Sequence, residues 1–332
     1  MLELLISARF AVRPFRWLVA LLGLVSVSGA SCPRRSVVPA TLAPAAFAGT
    51  PTLADIVRVV NANSAKVQQL QTNGATFTVA GYPPLRADLA WDRPQRFRLQ
   101  AGTLAGRELD LGSNDQIFWI WIQRNDPPAV YYARHDQFAQ SASRSIMPVP
   151  PQWIVEALGL VTLDPLVPYE GPYFRQADRA EIRTQVSTPQ GVLTKVLVID
   201  SVRGWILEQY ILDARQQLQA RVVASQHTYD PVFGVSLPHR IDVSLPPAQM
   251  DFTLAVSRYT LNQAVLNPDE LWTPRIDGAP FVDLVDPGTS IPVTSGISAP
   301  PAAPVAPPPV APPPAAAVQA SRPWLDRIRG FR

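Results

Sequence analysis

The chain has 332 residues, of which 29 are basic and 26 acidic, so its formal net charge is only +3. Nucleic-acid-binding proteins concentrate Lys and Arg on one folded face. The acidic and basic residues of this chain are nearly balanced, so we predict no nucleic-acid partner. A single cysteine also excludes an internal disulfide framework.

The first 31 residues have the order of a secretory signal. Three arginines precede an apolar stretch at residues 17–27, and small residues follow it. This stretch is shorter than the roughly 20 residues that a membrane-spanning helix needs. We therefore predict that residues 1–31 are a signal peptide and that the protein is exported to the periplasmic side of a bacterial cell envelope.

The only cysteine, Cys32, follows this signal directly. The run from Ser28 to Cys32 resembles the lipobox of bacterial lipoproteins, which implies that Cys32 carries a lipid and anchors the protein to a membrane. Gly29 stands where the lipobox prefers Leu or Val, and Pro33 is also unusual after the cysteine. Two alternatives therefore stay open, namely cleavage after Ala30 with Cys32 as a free thiol, and an uncleaved anchor.

Composition divides the rest of the chain into three parts. Residues 32–50 are rich in Ala and Pro and are typical of a tether. Residues 51–285 have the patterning of a folded domain. Residues 286–332 form a tail in which 299–318 contain only Ala, Pro and Val, a composition that favours an extended polyproline II segment and cannot build a core.

The tail ends in a basic, aromatic segment, PWLDRIRGFR. If this segment is helical, its apolar residues share one side with an arginine near the edge, which suits an anionic membrane surface or a partner protein. The alternative is a frayed basic tail. The candidate contact residues are Trp324, Leu325, Arg327, Ile328 and Phe331.

The domain opens with a helical pattern. Thr52 is a candidate N-cap, and Asp55 stands three residues later, as in a capping box. Apolar residues then recur at helical spacing, and Asn73-Gly74 is a candidate stop signal. This spacing predicts one long helix with a single apolar face made of Leu53, Ile56, Val57, Val60, Val67 and Leu70.

The period then changes to two, which is typical of strands. Segments such as LRADLAW and RELDLG alternate apolar and polar residues, and a short helical segment, PPQWIVEALGL, interrupts the series near Pro151 to Gly159. About a dozen strands and two helices follow from this pattern. We predict an α+β fold, in which one large, curved antiparallel sheet carries the helices on its concave side.

This order of elements over residues 52–265 resembles the LolA/LolB-like family, whose members carry or receive bacterial lipoproteins at the periplasmic side of the envelope. The resemblance implies an unclosed β-barrel that is covered by helices and encloses a cavity for acyl chains. It also implies a lipid, an acyl chain or a lipidated protein as the ligand. The oligomeric state is left open.

The strand segment IFWIWI, residues 117–122, is apolar on both faces, so both faces must be covered or one must meet an apolar cavity. One interpretation is a central strand in a filled core. The other is that one face, together with nearby aromatic residues, lines an acyl-chain cavity. The candidate lining residues are Trp91, Ile117, Trp119, Trp121, Tyr132, Trp153 and Trp205.

Signals for catalysis are sparse. The three histidines stand apart in sequence and belong to no metal-ligand spacing, and Ser236 and His239 lack the pattern of a nucleophile elbow. Asp110, Asn114 and Asp115 suit a turn better than a calcium loop. We predict no enzyme activity, no metal and no cofactor. The alternatives to a lipid-binding lipoprotein are an interaction protein with a filled core that bridges envelope layers through its tail and, less favoured, an envelope hydrolase.

Overall fold

A computed structural model describes residues 42–126, 128–138, 152–188, 191–276, 278–286 and 290–291. Within these ranges the helices are α1 (Leu53–Ala65), α2 (His135–Phe138), α3 (Gln152–Ala157) and α4 (Pro268–Leu271). The strands before α3 are β1 (Gln69–Val79), β2 (Leu85–Asp92), β3 (Arg96–Thr103), β4 (Gly106–Ser113), β5 (Ile117–Ile122) and β6 (Val130–Arg134). The strands after α3 are β7 (Glu170–Gln176), β8 (Arg179–Thr188), β9 (Gly191–Asp200), β10 (Ile206–Leu212), β11 (Leu218–Asp230), β12 (Val235–Leu245), β13 (Met250–Ala255), β14 (Thr260–Leu261), β15 (Phe281–Asp283) and β16 (Ser290–Ile291).

Helix α1 begins at the predicted residue and ends earlier than predicted. The Thr52 side chain accepts a hydrogen bond from the Asp55 backbone N–H, and the Asp55 side chain accepts one from Thr52, so the capping box is formed. The helix ends at Ala65, and strand β1 already begins at Gln69. The prediction of a helix that runs on to Asn73-Gly74 is wrong, because the chain from Gln69 onward pairs with neighbouring strands. Gly74, with a φ of +88°, lies at a bulge within β1.

All the strands of the described chain belong to one sheet. Fifteen of them follow the order β16-β15-β6-β5-β4-β3-β2-β1-β13-β12-β11-β10-β9-β8-β7, and β14 pairs with β1. The edge strands β16 and β7 do not pair with each other in this order, so the sheet is not closed. The pairs are antiparallel except for β15 with β6. The predicted α+β fold with a large, unclosed antiparallel sheet is confirmed.

The sheet is strongly curved. Strands β5 and β13 are five positions apart in the sheet, which is about 24 Å in a flat sheet with the usual spacing of about 4.8 Å. Ile122 of β5 and Met250 of β13 nevertheless line the same cavity. Curvature therefore brings the two halves of the sheet to face each other across a concave side.

The two predicted helices pack on this concave side. Ile56 and Val60 of α1 belong to a buried cluster with Ile182 of β8 and with Leu197 and Ile199 of β9. Side chains of α3 belong to a second cluster with residues of β1 to β3 and of β10 to β13. The position of the helices over the concave side is thus confirmed.

Helix α1 is also fixed by hydrogen bonds to backbone groups. The Asn61 side chain donates to the Leu163 carbonyl oxygen and accepts from the Leu163 N–H, both at 2.7 Å. Arg93 donates to the Ser64 carbonyl oxygen at 2.7 Å. Gly204 sits against the other side of this helix, because an added Cβ there would lie only 2.4 Å from Val59 Cγ1. The helix is therefore held closely against its neighbours.

Several observed elements lie outside the sequence predictions. Strand β7 is exposed along its length and contains Gly171-Pro172, so it has no alternating apolar pattern. Beyond the predicted domain boundary at residue 285, β16 still belongs to the sheet. Before residue 51, the Ala46 N–H donates to the Val202 carbonyl oxygen at 2.8 Å. No helix in the described part of the chain is long and apolar enough to cross a membrane.

Candidate functional site

A cavity of about 880 Å³ lies on the concave face of the sheet. It is bounded by the ends of strands β1 to β5 on one side and by the turn from β12 to β13 on the other. Cross-strand pairing sets its wall, because residues that face each other in the register point to the same side. Its aliphatic wall is formed mainly by Val79, Leu85, Leu109, Leu111, Ile120 and Ile122.

The cavity occupies the end of the concave face that the helices leave uncovered. On the β1–β2 pair, Leu70 is fully buried near the helices, whereas Leu85 at the other end is only half-buried. On β5, Phe118 is fully buried and the next residues on the same face, Ile120 and Ile122, are half-buried. Large aliphatic side chains are thus left partly exposed to the cavity by the described chain.

Two phenylalanines join the halves of the sheet at the cavity wall. The rings of Phe77 on β1 and Phe252 on β13 have centroids 5.1 Å apart. Pro247 and Gln249 in the turn between β12 and β13, and Met250 at the start of β13, also contribute to the lining. Gln249 adopts a left-handed φ of +49°, which turns the chain sharply at this point. The wall is therefore shared by strands that are distant in sequence.

Charged groups lie at the rim of the cavity. Arg124 Nε donates to Glu108 Oε2 at 3.3 Å, and the Arg124 guanidinium lies over the Tyr82 ring, 5.8 Å from its centroid. The Arg124 side chain is 63% exposed and that of Glu108 is 20% exposed. Asp251 also lines the cavity and is exposed. The site thus combines an apolar interior with a polar rim.

Four of the predicted lining residues lie on the opposite face of the sheet. Ile117, Trp119 and Tyr132 form a buried cluster with Ala279, and Trp121 packs against it. Strand alternation places them away from Ile120 and Ile122, and Ile276, Ala279 and Phe281 pack against them. The structure therefore places the aromatic face of β5 in a packed layer, and the aliphatic face of the same strand lines the cavity.

A buried polar network fixes this outer layer. The Asp110 carboxylate accepts hydrogen bonds from Arg98 Nη2 at 2.7 Å and from Trp119 Nε1 at 3.1 Å. Arg98 Nη1 donates to the carbonyl oxygens of Glu270 and Leu271 at 2.9 and 2.8 Å. Removal of one partner of such a buried charge pair would leave an uncompensated charge and strongly destabilise the fold. The network therefore attaches the chain around α4 to the sheet.

Gly112 allows the Trp119 ring to lie flat on the neighbouring strand. A Cβ added at Gly112 would lie 2.1 Å from Trp119 Cζ2, closer than atoms can approach. Of the three residues Asp110, Asn114 and Asp115, Asp110 lies on β4, and Asn114 and Asp115 lie in the turn that follows it. Asn114 Oδ1 accepts from the backbone N–H groups of Gln116 and Ile117, both at 2.9 Å, as a turn requires.

The other three predicted lining residues also lie outside the large cavity. Trp91 on β2 and Trp153 on α3 belong to the same buried cluster of the concave face. Trp91 lines a separate, smaller cavity of about 160 Å³. Trp205 stacks on His227, with ring centroids 4.7 Å apart and an angle of 7° between the planes. Helices α1 and α3 thus fill the part of the concave face where these aromatic residues are found.

The histidines of the described chain do not form a catalytic arrangement. Ser113 Oγ lies 3.3 Å from His135 Nε2, but that nitrogen also lies 2.9 Å from the Asn114 carbonyl oxygen. A carbonyl oxygen only accepts, so Nε2 carries the proton and does not serve as a base for Ser113. His239 Nδ1 is bound to the Val256 carbonyl oxygen at 2.7 Å. Among the described residues there is no group of three potential metal ligands.

The residues that line the cavity were not predicted, because the sequence pattern favoured the tryptophans of IFWIWI as the candidate lining residues instead. The signal that could have found them is the second face of the same segment, where Ile120 and Ile122 alternate with Trp119 and Trp121. Leu109 and Leu111 alternate in the same way within RELDLG. Cys32 and the terminal residues Trp324, Leu325, Arg327, Ile328 and Phe331 lie outside the described residues.

Several solved structures are similar to this chain. A domain from Vibrio parahaemolyticus that is proposed to be an outer membrane lipoprotein-sorting protein has a TM-score of 0.43 and 8% identity, over 65% of this chain and 98% of its own. A DUF1329 family protein from Desulfovibrio piger has a TM-score of 0.40 and 9% identity, over 64% and 95%. A LolA superfamily protein from Nitrosomonas europaea has a TM-score of 0.39 and 10% identity, over 66% and 97%. No protein-family model and no curated protein matches the chain. Because these identities and TM-scores are low, we infer function from the residues of this chain alone.

Proposed function

We propose that this protein binds an acyl chain of a lipid or of a lipidated protein in the concave cavity, without making or breaking a covalent bond. The observation that carries the proposal is the cavity of about 880 Å³, whose aliphatic wall is half-buried at the uncovered end of the concave face. Ligand cavities in proteins are typically about 300–1,000 Å³ and mostly apolar, with a few polar groups that orient the ligand. This cavity has both properties.

The hydrophobic effect supplies the affinity in this proposal. Each buried CH₂ group of a chain contributes about 0.8 kcal/mol. The half-buried side chains Leu109, Leu111 and Ile120 would lose their remaining contact with water when the chain binds, which adds to the gain. Affinity should therefore rise with chain length until the cavity is filled.

Entry and release in this proposal need no displacement of the two main helices. Helices α1 and α3 pack over the other end of the concave face, and α1 is hydrogen-bonded there through Asn61 and Arg93. The rim of the cavity is formed by hairpins instead. A carrier, receptor or sensor role is compatible with a site that fills and empties at this rim.

The two alternative functions have less support in the described chain. An interaction protein with a filled core would not leave aliphatic side chains exposed in a large cavity. A hydrolase would need a positioned base at its cleft, and none of the described histidines lines the large cavity. Of the two carboxylates in the lining, Glu108 is paired with Arg124 and Asp251 is exposed at the rim. The Ser113–His135 pair is unsuitable because Nε2 of the histidine donates to a carbonyl oxygen.

The place of action is proposed from the N-terminal sequence. A signal at residues 1–31 and a lipid on Cys32 would hold the domain at the membrane of a bacterial envelope, facing the periplasm, with residues 32–50 as a tether and 286–332 as a tail. Metabolic labelling with a fatty acid tests this proposal. Label on the wild type that disappears in Cys32→Ser supports it, and equal label on both proteins contradicts it.

Binding of radiolabelled palmitate to wild type and variants tests the function. Ile120→Glu places a carboxylate in the cavity wall and should weaken binding at least tenfold, because a charge cannot be buried against a hydrocarbon chain without a large cost. Val192→Glu is the matched control, since Val192 is a 41% exposed strand residue outside the cavity lining. Wild-type affinity in Ile120→Glu, or no binding to the wild type, would contradict the proposed function.

A further inference from the structure

The rim arginine of the cavity, Arg124, contacts two neighbours. Glu108 accepts from Arg124 Nε at 3.3 Å, and the Tyr82 ring supports the guanidinium plane at 5.8 Å from its centroid. The stacking and the ion pair use one N–H and one face of the guanidinium. Neither Nη group makes a hydrogen bond to another part of the chain that the structure describes. The outer fork of donors is therefore available to an external acceptor.

The position of Arg124 relates this fork to a bound chain. Ile122 stands two residues before Arg124 in the sequence. Ile122 lines the apolar wall, and Arg124 lines the rim of the same cavity. A chain that fills the wall between Ile120 and Ile122 would bring its polar end to the Arg124 guanidinium. Two Nη donors in one plane match the oxygens of a carboxylate or a phosphate.

Resting on the proposed function, we propose that the cavity selects acyl ligands with an anionic head, and that Arg124 binds the carboxylate or phosphate oxygens of that head. Glu108 positions the guanidinium and does not contact the ligand. The chemistry is shared by free fatty acids and by lipids with a terminal phosphate.

The other charges at the rim limit how strongly Arg124 favours an anionic head over a neutral one. Glu108 is paired with Arg124, and Asp251 is an exposed carboxylate in the same lining, which opposes an anion. Arg124 is itself 63% exposed, so water screens its interaction with the ligand. Exposed ion pairs of this kind change affinity by up to about fivefold. We therefore expect a modest selectivity that weakens at high salt.

Two ligands with the same saturated chain, myristate and myristyl alcohol, separate the head from the chain. Wild-type protein should bind myristate about fivefold more tightly than the alcohol at low ionic strength. In Arg124→Gln the two affinities should become equal, because the acid loses its ion pair with the guanidinium. Arg58→Gln is the matched control, because Arg58 is 66% exposed, is paired with Asp55 at 3.1 Å and lies on α1 outside the cavity.

The outcomes distinguish this inference from the function on which it rests. Equal binding of acid and alcohol to the wild type, or unchanged selectivity in Arg124→Gln, overturns the inference and leaves acyl-chain binding intact. Failure of both ligands to bind overturns the proposed function. A third ligand, lysophosphatidic acid with the same chain, identifies the source of the anion. If it binds more tightly than myristate, and this preference is lost in Arg124→Gln, then the head is a lipid phosphate.

Discussion

The two ends of the concave face have the same kind of residues and different surroundings. At the covered end, α1 and α3 bury side chains such as Leu70, Ile182 and Leu197 almost completely. At the uncovered end, Leu85 and Ile120 lie on the same concave face and stay half-buried around a cavity. Composition alone therefore does not identify the site. The position of the helices decides which apolar residues become core and which become a binding surface.

The stability of the covered end should be the most sensitive to truncation. Leu70 is fully buried and Leu85 is half-buried, and both are leucines on the paired strands β1 and β2. Leu70→Ala should lower the free energy of unfolding by about 2–5 kcal/mol, because the cavity it leaves cannot collapse. Leu85→Ala should cost less than about 1.5 kcal/mol, since its side chain already borders open space.

Urea denaturation of the two variants measures this difference, and each serves as the control for the other. Equal losses of unfolding free energy in Leu70→Ala and Leu85→Ala would show that the two ends are equally packed. The assignment of the uncovered end as a binding surface would then lose its basis.

The covered end should also respond to pH through His227, which stacks on Trp205 near α1. Burial lowers the pKa of His227 to about 4, while a hydrogen bond with the Ile206 backbone and the charge of Asp200 oppose this shift. The folded state thus binds the proton more weakly than the unfolded state. The contribution of the neutral His227 to the free energy of unfolding is fully present above about pH 6.5. The free energy of unfolding then falls by about 1–3 kcal/mol as the pH decreases through 4.

His227→Phe keeps a ring against Trp205 and removes the titrating group. Unfolding free energies at pH 7 and pH 4 should therefore differ less in this variant than in the wild type. Identical pH dependence in both proteins would contradict the burial of a neutral histidine at the covered end.

Local signals in the sequence predicted the elements well. Thr52 and Asp55 are three residues apart, so the capping box at the start of α1 could be recognised from sequence alone. Alternating residues likewise indicated most strands of the antiparallel sheet, since strand alternation is a property of short segments. The end of α1 was predicted wrongly because Val67 and Leu70 fit a helical spacing, whereas Val67 lies in the link between α1 and β1 and Leu70 lies in β1.

The cavity could not be predicted from such local signals. Which face of IFWIWI meets the cavity depends on Ile276, Ala279 and Phe281, which lie more than 150 positions later in the chain and pack in one cluster with Trp119. The contact requires Arg98 and Asp110 to hold the chain around α4, and it requires Gly112 beneath the tryptophan ring. None of these long-range contacts leaves a periodic pattern in the sequence.

Photo-crosslinking with a photoactivatable fatty acid tests most directly whether the uncovered end is the binding surface. The wild-type protein is irradiated with the bound probe, and mass spectrometry identifies the labelled peptides. We expect labels on the aliphatic wall, at Leu111, Ile120 or Met250, and their loss when excess myristate competes. Labels confined to the peptides of Trp119 or of residues 276–281, or labels that myristate does not displace, would contradict the account.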